Sequence, residues 1–168
     1  FYKDGSVGRI VDECLVRIEQ PDADGNGEIL VKGPMVMQGY YKMEDETRDV
    51  LKDGWFSTGD IGHVDEDHFL YITGRRKNLI ILKNGENVAP EELELLLKNI
   101  SLICEVVVSA QEEKLTAEIY PDFSYVEENK IQDIEHALKE EILRLNTSLP
   151  KFKQIQKILI RNTEFEKT

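Results

Sequence analysis

The sequence predicts an α+β chain: a β-rich first half running to about residue 74, and a mixed second half from about residue 78. Three observations carry this. In the first half, short runs in which apolar and polar residues alternate are separated by Gly, Asp and Asn, the grammar of half-buried strands joined by turns. In the second half, Leu93, Leu96, Leu97 and Ile100, and again Ile131, Ile134, Leu138, Ile142 and Leu145, recur at helical spacing. Around those helices lie the apolar runs "LIIL", "CEVVVSA", "KLTAEIYP" and "QKILIRN", which read as strands.

Taken in order, "VGRIVDECLVRIEQ" and "EILVKGP" read as strands joined through "PDADGNGE", where Gly and Asn supply the positive φ of a tight connection. The acidic turn invites a calcium-loop reading. Val31 and Lys32 fall near where the twelfth-position carboxylate belongs, so a hairpin turn is expected instead. A short helix is expected over Glu44 to Leu51, then two short strands joined at "DEDH", with His63 and His68 as exposed strand-end residues.

Asn84-Gly85 predicts a hairpin after "LIIL". Pro90 suits the first helical position, and Glu91 and Glu92 lie in the first turn, where the helix dipole favours anions. "NKIQDIEHALKEEILRLN" is expected as one amphipathic helix that Pro150 stops. The second half thus runs hairpin, helix, strand, strand, helix, strand. Trp55 and Phe56 are expected as packing anchors and Cys104 as a small buried hydrophobe.

Composition excludes several functions. The chain has 168 residues, with 33 Asp plus Glu against 21 Lys plus Arg, a formal net charge of -12. Such a surface repels phosphate backbones, so the triplet Arg75, Arg76, Lys77 is not a nucleic-acid patch. Cys14 and Cys104 have neither disulfide-framework nor metal-ligand spacing, so a reducing compartment is expected. No apolar stretch approaches the roughly 20 residues of a membrane span, and integral membrane insertion is not expected.

Chemistry enters at "STGD", Ser57 to Asp60. A carboxylate can accept both hydroxyls of a cis-diol and an arginine can donate to the same sugar, so Asp60 and Arg75 form a candidate ribose clamp. Turn residues as common as these carry little alone. The ordered set "GEILVKGPMVMQGYY", "DGWFSTGD", "YITGRRKNLIILKNGENVAPEELE" and "LPKFKQIQKILIRNTEFEKT" resembles the adenylate-forming superfamily of acyl-CoA synthetases, peptide-synthetase adenylation domains and luciferases. The resemblance extends from Gly8 to Thr168.

The resemblance implies a C-terminal fragment of an AMP-forming acyl-CoA synthetase. Residues 1–76 would be the end of a large N-terminal domain, including a β-rich, barrel-like subdomain, and residues 77–168 a mobile lid hinged at Lys77. Such enzymes use ATP, with magnesium, to turn a carboxylic acid into an acyl-adenylate, and then pass the acyl group to coenzyme A. By resemblance, Asp60 binds the ribose hydroxyls, Arg75 assists it, Thr58 lies beside the nucleotide, and Gly85 borders the pantetheine tunnel. The phosphate-cradling loop, the adenine segment and the acyl pocket are absent and are expected before Phe1, in the missing N-terminal domain. "FEKT" resembles the text just ahead of the adenylation lysine, so that lysine is expected after Thr168 and is not Lys167.

The expected activity of the parent is that of a long- or medium-chain fatty acid–CoA ligase in the cytoplasm. Two other readings remain at this stage: an adenylation domain loading a carrier protein, and a stand-alone binding module. The 168 residues alone are expected to be inactive and to hold no cofactor tightly. Two or three charge-assisted bonds to a ribose contribute roughly 4 to 8 kcal/mol before the cost of immobilising the nucleotide, which leaves affinity on the order of millimolar.

Overall fold

The structure, a computed structural model, describes residues 2–166, and the chain separates into two units, Phe1–Asn78 and Leu79–Thr168. The first unit is one antiparallel sheet. Its elements are β1 (Gly8–Arg9), β2 (Leu15–Glu19), β3 (Gly27–Lys32), helix α1 (Glu44–Val50), β4 (Leu51–Lys52), β5 (Trp55–Val64) and β6 (Phe69–Arg75). The spatial order is β1-β6-β5-β3-β2, with β4 paired to β5. Ile29, Leu30, Ile61 and Phe69 are its buried apolar residues.

The turns of this sheet are built by their acids. Asp22 Oδ1 accepts the amides of Asp24 and Asn26, each at 2.9 Å, and closes the β2–β3 connection. Asp65 Oδ1 does the same for Asp67 and Phe69 between β5 and β6. Side-chain oxygens that satisfy the local backbone make these turns structural. Among the described residues no group of three or more His, Cys, Asp or Glu is placed to hold a metal ion.

The two strands around "DEDH" are longer than expected, ten and seven residues. His63 is accordingly not an exposed strand end. It lies within β5, partly buried, with Nδ1 2.9 Å from Asn26 Oδ1 and its ring stacked on Tyr71 at 4.9 Å. His68 is exposed, in the turn, with φ 65°. Trp55 is partly exposed and carries the guanidinium of Arg17 at 4.8 Å over its ring.

The second unit comprises β7 (Ile80–Ile81), β8 (Asn87–Val88), α2 (Pro90–Lys98), β9 (Ile103–Gln111), β10 (Lys114–Pro121), α3 (Phe123–Glu128), α4 (Ile134–Ser148) and β11 (Lys157–Ile160). β10 is central, antiparallel to β9 and parallel to β11. Pro90 starts α2 with Glu91 and Glu92 in its first turn, as expected. Leu93, Leu97 and Leu138 are fully buried on Ala117 and Ile119 of the sheet. Each such leucine contributes about 1.5–3 kcal/mol by leaving water.

Two expectations need correction. The last long helix begins at Ile134, because Asp133 caps it by accepting the His136 amide at 2.9 Å. Ile131 precedes the helix yet still packs against the core, and the short helix α3, capped by Asp122, was not foreseen. Cys104 is exposed. Strand β9 turns Ile103 inward, and in an extended chain the next side chain points the other way.

No helix among the described residues is long and apolar enough to cross a membrane.

Candidate functional site

β3 and β5 pair Glu28 with Ile61 and then Leu30 with Ser57. Between those pairs three β5 residues, Thr58, Gly59 and Asp60, stand opposite the single Ile29 of β3, so β5 bulges from the ladder. Gly59 makes this possible with φ +74°, a conformation that a Cβ disfavours. Thr58 pins the bulge: its hydroxyl donates to the Ile29 carbonyl at 2.8 Å and accepts the Asp60 amide at 3.0 Å.

Asp60 is thereby presented beside its register partner Arg75, with Arg75 Nε 2.8 Å from Asp60 Oδ1. The carboxylate is mostly covered, at 21% exposure, while the guanidinium is 58% exposed. One carboxylate oxygen and the terminal guanidinium nitrogens are left for a ligand, a donor and acceptor set suited to a vicinal diol. Thr58, Asp60 and Arg75 thus fall in one place. The hydroxyl of Thr58 is committed to the backbone on both sides, which makes it a support for Asp60.

Arg76, the next residue, is exposed along its side chain, yet its Nη1 lies 2.7 Å from Glu28 Oε2 on β3. Lys77 is exposed, in the 3₁₀ turn Arg76–Asn78. Gly85 belongs to the second unit, at the tip of the β7–β8 hairpin, where its amide donates to the Leu82 carbonyl at 2.9 Å. Its φ is +83° and no atom lies within 4 Å of where a Cβ would stand, so the backbone angle alone calls for glycine. Lys167 lies outside the described residues.

The family model "AMP-binding enzyme C-terminal domain" matches residues 77–168. The chain belongs to the AMP-binding enzymes. Among curated AMP-binding relatives it is 41% identical over 121 residues to a 2-succinylbenzoate–CoA ligase of Bacillus cytotoxicus, covering 70% of this chain and 25% of that one. It is 48% identical over 98 residues to a long-chain fatty acid–CoA ligase of Rattus norvegicus, covering 58% of this chain and 14% of the other. Among solved structures, the O-succinylbenzoate coenzyme A synthetase of Bacillus subtilis in complex with AMP superposes with a TM-score of 0.76 at 30% identity, covering 96% of this chain and 32% of that one. That enzyme has also been solved with ATP and a magnesium ion. The chain therefore spans a third or less of the length of these AMP-binding enzymes.

Proposed function

We propose that this chain is the ribose-binding and lid-bearing part of an AMP-forming carboxylate–CoA ligase. Asp60 accepts the ribose hydroxyls of ATP and of the acyl-adenylate, Arg75 holds and supplements it, and Thr58 supports the bulge that presents it. Lys77 is the pivot at which a lid, residues 77–168, changes its pose between adenylate formation and thioester formation. Gly85 lets the hairpin tip approach the pantetheine of coenzyme A. The adenine, phosphate and acyl contacts, and the adenylation lysine, belong to parts of the enzyme outside these residues.

The observation that carries this reading is the Asp60–Arg75 pair, set on a glycine-dependent bulge in a chain of this family. ATP, with magnesium, is the cofactor whose ribose suits that donor and acceptor set. The family relatives named above are CoA ligases, which favours coenzyme A over a carrier protein as acceptor. For the acid, the relatives divide between a long-chain fatty acid ligase, 48% identical over 98 residues, and a 2-succinylbenzoate ligase, 41% over 121, and a long- or medium-chain fatty acid is the acid to test first.

The test is the enzyme that carries this chain, assayed for pyrophosphate release with ATP and a panel of fatty and aryl acids, then for thioester formation with coenzyme A. Release dependent on a fatty acid supports the whole reading. Release with aryl acids alone retains the ligase and replaces the acid.

A further inference from the structure

Two consecutive arginines leave the end of β6 for different strands. Arg75 bonds Asp60 on the neighbouring strand β5. Arg76 passes beyond β5 to reach Glu28 on β3, at 2.7 Å. The Glu28 side chain is only 12% exposed, and its other oxygen, Oε1, is buried with no hydrogen-bond partner among the described residues. A carboxylate desolvated to this degree depends on its one cation, so the bond resists opening more than an exposed surface pair does. The strand end is therefore tied twice to the sheet, and the first residue after the second tie is the exposed Lys77.

We propose that Glu28 is a positioning residue of the pivot: by holding Arg76 across the sheet, it carries the rigid end of β6 one residue further, through Arg76, and makes backbone rotation begin at Lys77. This rests on the hinge reading of Lys77 given above.

Amide hydrogen exchange of residues 76–78 tests the tie in this chain. E28Q should speed exchange there by about fivefold while the strands of the sheet stay protected, because a local opening is released without global unfolding. R76Q removes the tie from its exposed end and serves should E28Q fail to fold. The charge-swapped double variant E28K/R76E should restore slow exchange. Unchanged exchange at 76–78 in both single variants would overturn the proposal.

In the enzyme carrying this chain, E28Q should change the ratio of thioester-forming to adenylate-forming rates by at least about threefold, with KM for ATP held within about twofold. Equal loss of both rates, or a rise in KM for ATP alone, would also overturn it, by making Glu28 a general support or a support of the ribose site. The pivot reading fails separately: if Lys77→Pro spares thioester formation, the hinge is elsewhere, whatever residues 76–78 show in exchange.

Discussion

Arg75 Nε lies 2.8 Å from Asp60 Oδ1, and the two residues are direct register partners across β5 and β6. The pair is set by the sheet, so its geometry exists before any nucleotide arrives and little ordering is required on binding. Removing Asp60 should therefore affect binding without disturbing the fold. Asp60→Ala in the enzyme carrying this chain should raise KM for ATP about tenfold to a hundredfold, the worth of one or two charge-assisted bonds, and impair both half-reactions. Wild-type KM values in a steady-state pyrophosphate assay would remove Asp60 from the ribose site.

The chain by itself presents this clamp without the rest of a nucleotide site. Isothermal titration of the 168 residues with AMP should give a dissociation constant on the order of millimolar or weaker, and no pyrophosphate should appear with ATP and fatty acid. Micromolar AMP binding would mean that further contacts come from within the chain.

Lys77 sits in a 3₁₀ turn, exposed, immediately after Arg76, which is tied to Glu28 on β3. Proline there fixes φ and clashes with the conformation of the preceding residue, which stiffens the segment where rotation is expected. Lys77→Pro should spare adenylate formation and lower the thioester-forming rate at least about tenfold, since a hindered conformational step limits only the half-reaction that needs it. Single-turnover measurement of the two steps separates these; equal loss of both would refute the pivot.

Much of this was legible because local chemistry decides it. Asn84-Gly85 marks a hairpin, Pro90 opens a helix, and the leucines at 93 and 97 repeat at helical spacing, each a signal contained within a few residues. The order of the motifs singled out Asp60 and Arg75, which the sheet brings together. The bulge that presents Asp60 was not legible, since it exists only relative to the register of β3. Nor was the Arg76–Glu28 bond: 48 residues separate its partners, and no spacing rule links them. Helix α3 and the late start of α4 were missed because an apolar stripe ran through Ile131, while the capping aspartates 122 and 133 carried the true boundaries.

Gly85 has a positive φ of 83° with open space around the missing Cβ. Two costs can thus be separated. Gly85→Ala should cost about 1 kcal/mol of stability through the backbone angle and leave coenzyme A kinetics nearly intact. Gly85→Leu adds bulk at the hairpin tip and should raise KM for coenzyme A while leaving KM for ATP unchanged. Identical coenzyme A kinetics in both variants would reduce Gly85 to a turn residue.

In the second unit, Lys153 Nζ is almost completely buried and lies 3.2 Å from both carboxylate oxygens of Glu92. Removing the lysine takes away its buried stem and leaves the Glu92 carboxylate, 27% exposed, only partly hydrated. Lys153→Ala should destabilise this unit by about 2 kcal/mol, whereas the double substitution Lys153→Met with Glu92→Leu should recover most of that loss. Equal instability of the single and double variants in chemical denaturation would show that the lysine acts through packing instead.

The β5–β6 turn supplies a pH signature of its own. Asp65 accepts the Lys3 ammonium at 2.6 Å and the amides of Phe69 and Asp67. The Lys3 hydrogen bond first, and the Phe69 amide second, hold its carboxyl at about 2, below the ordinary 3.8. Lys3 in turn is pushed above its ordinary 10.5 by its hydrogen bonds to Asp65 and Asp67. A depressed carboxyl stabilises the fold fully above 3.8 and ceases to do so as pH falls through about 2; a raised amine stabilises fully below 10.5 and ceases only at higher pH. The clamp between the N-terminal segment and the turn is therefore complete from mildly acidic to mildly alkaline pH and is lost first on the acid side. Carboxyl titration by NMR should place Asp65 near 2 in the native chain and shift it upward in Lys3→Met, stopping short of 3.8 because the Phe69 amide remains. An Asp65 midpoint that does not move in Lys3→Met would show that the backbone amides alone set it.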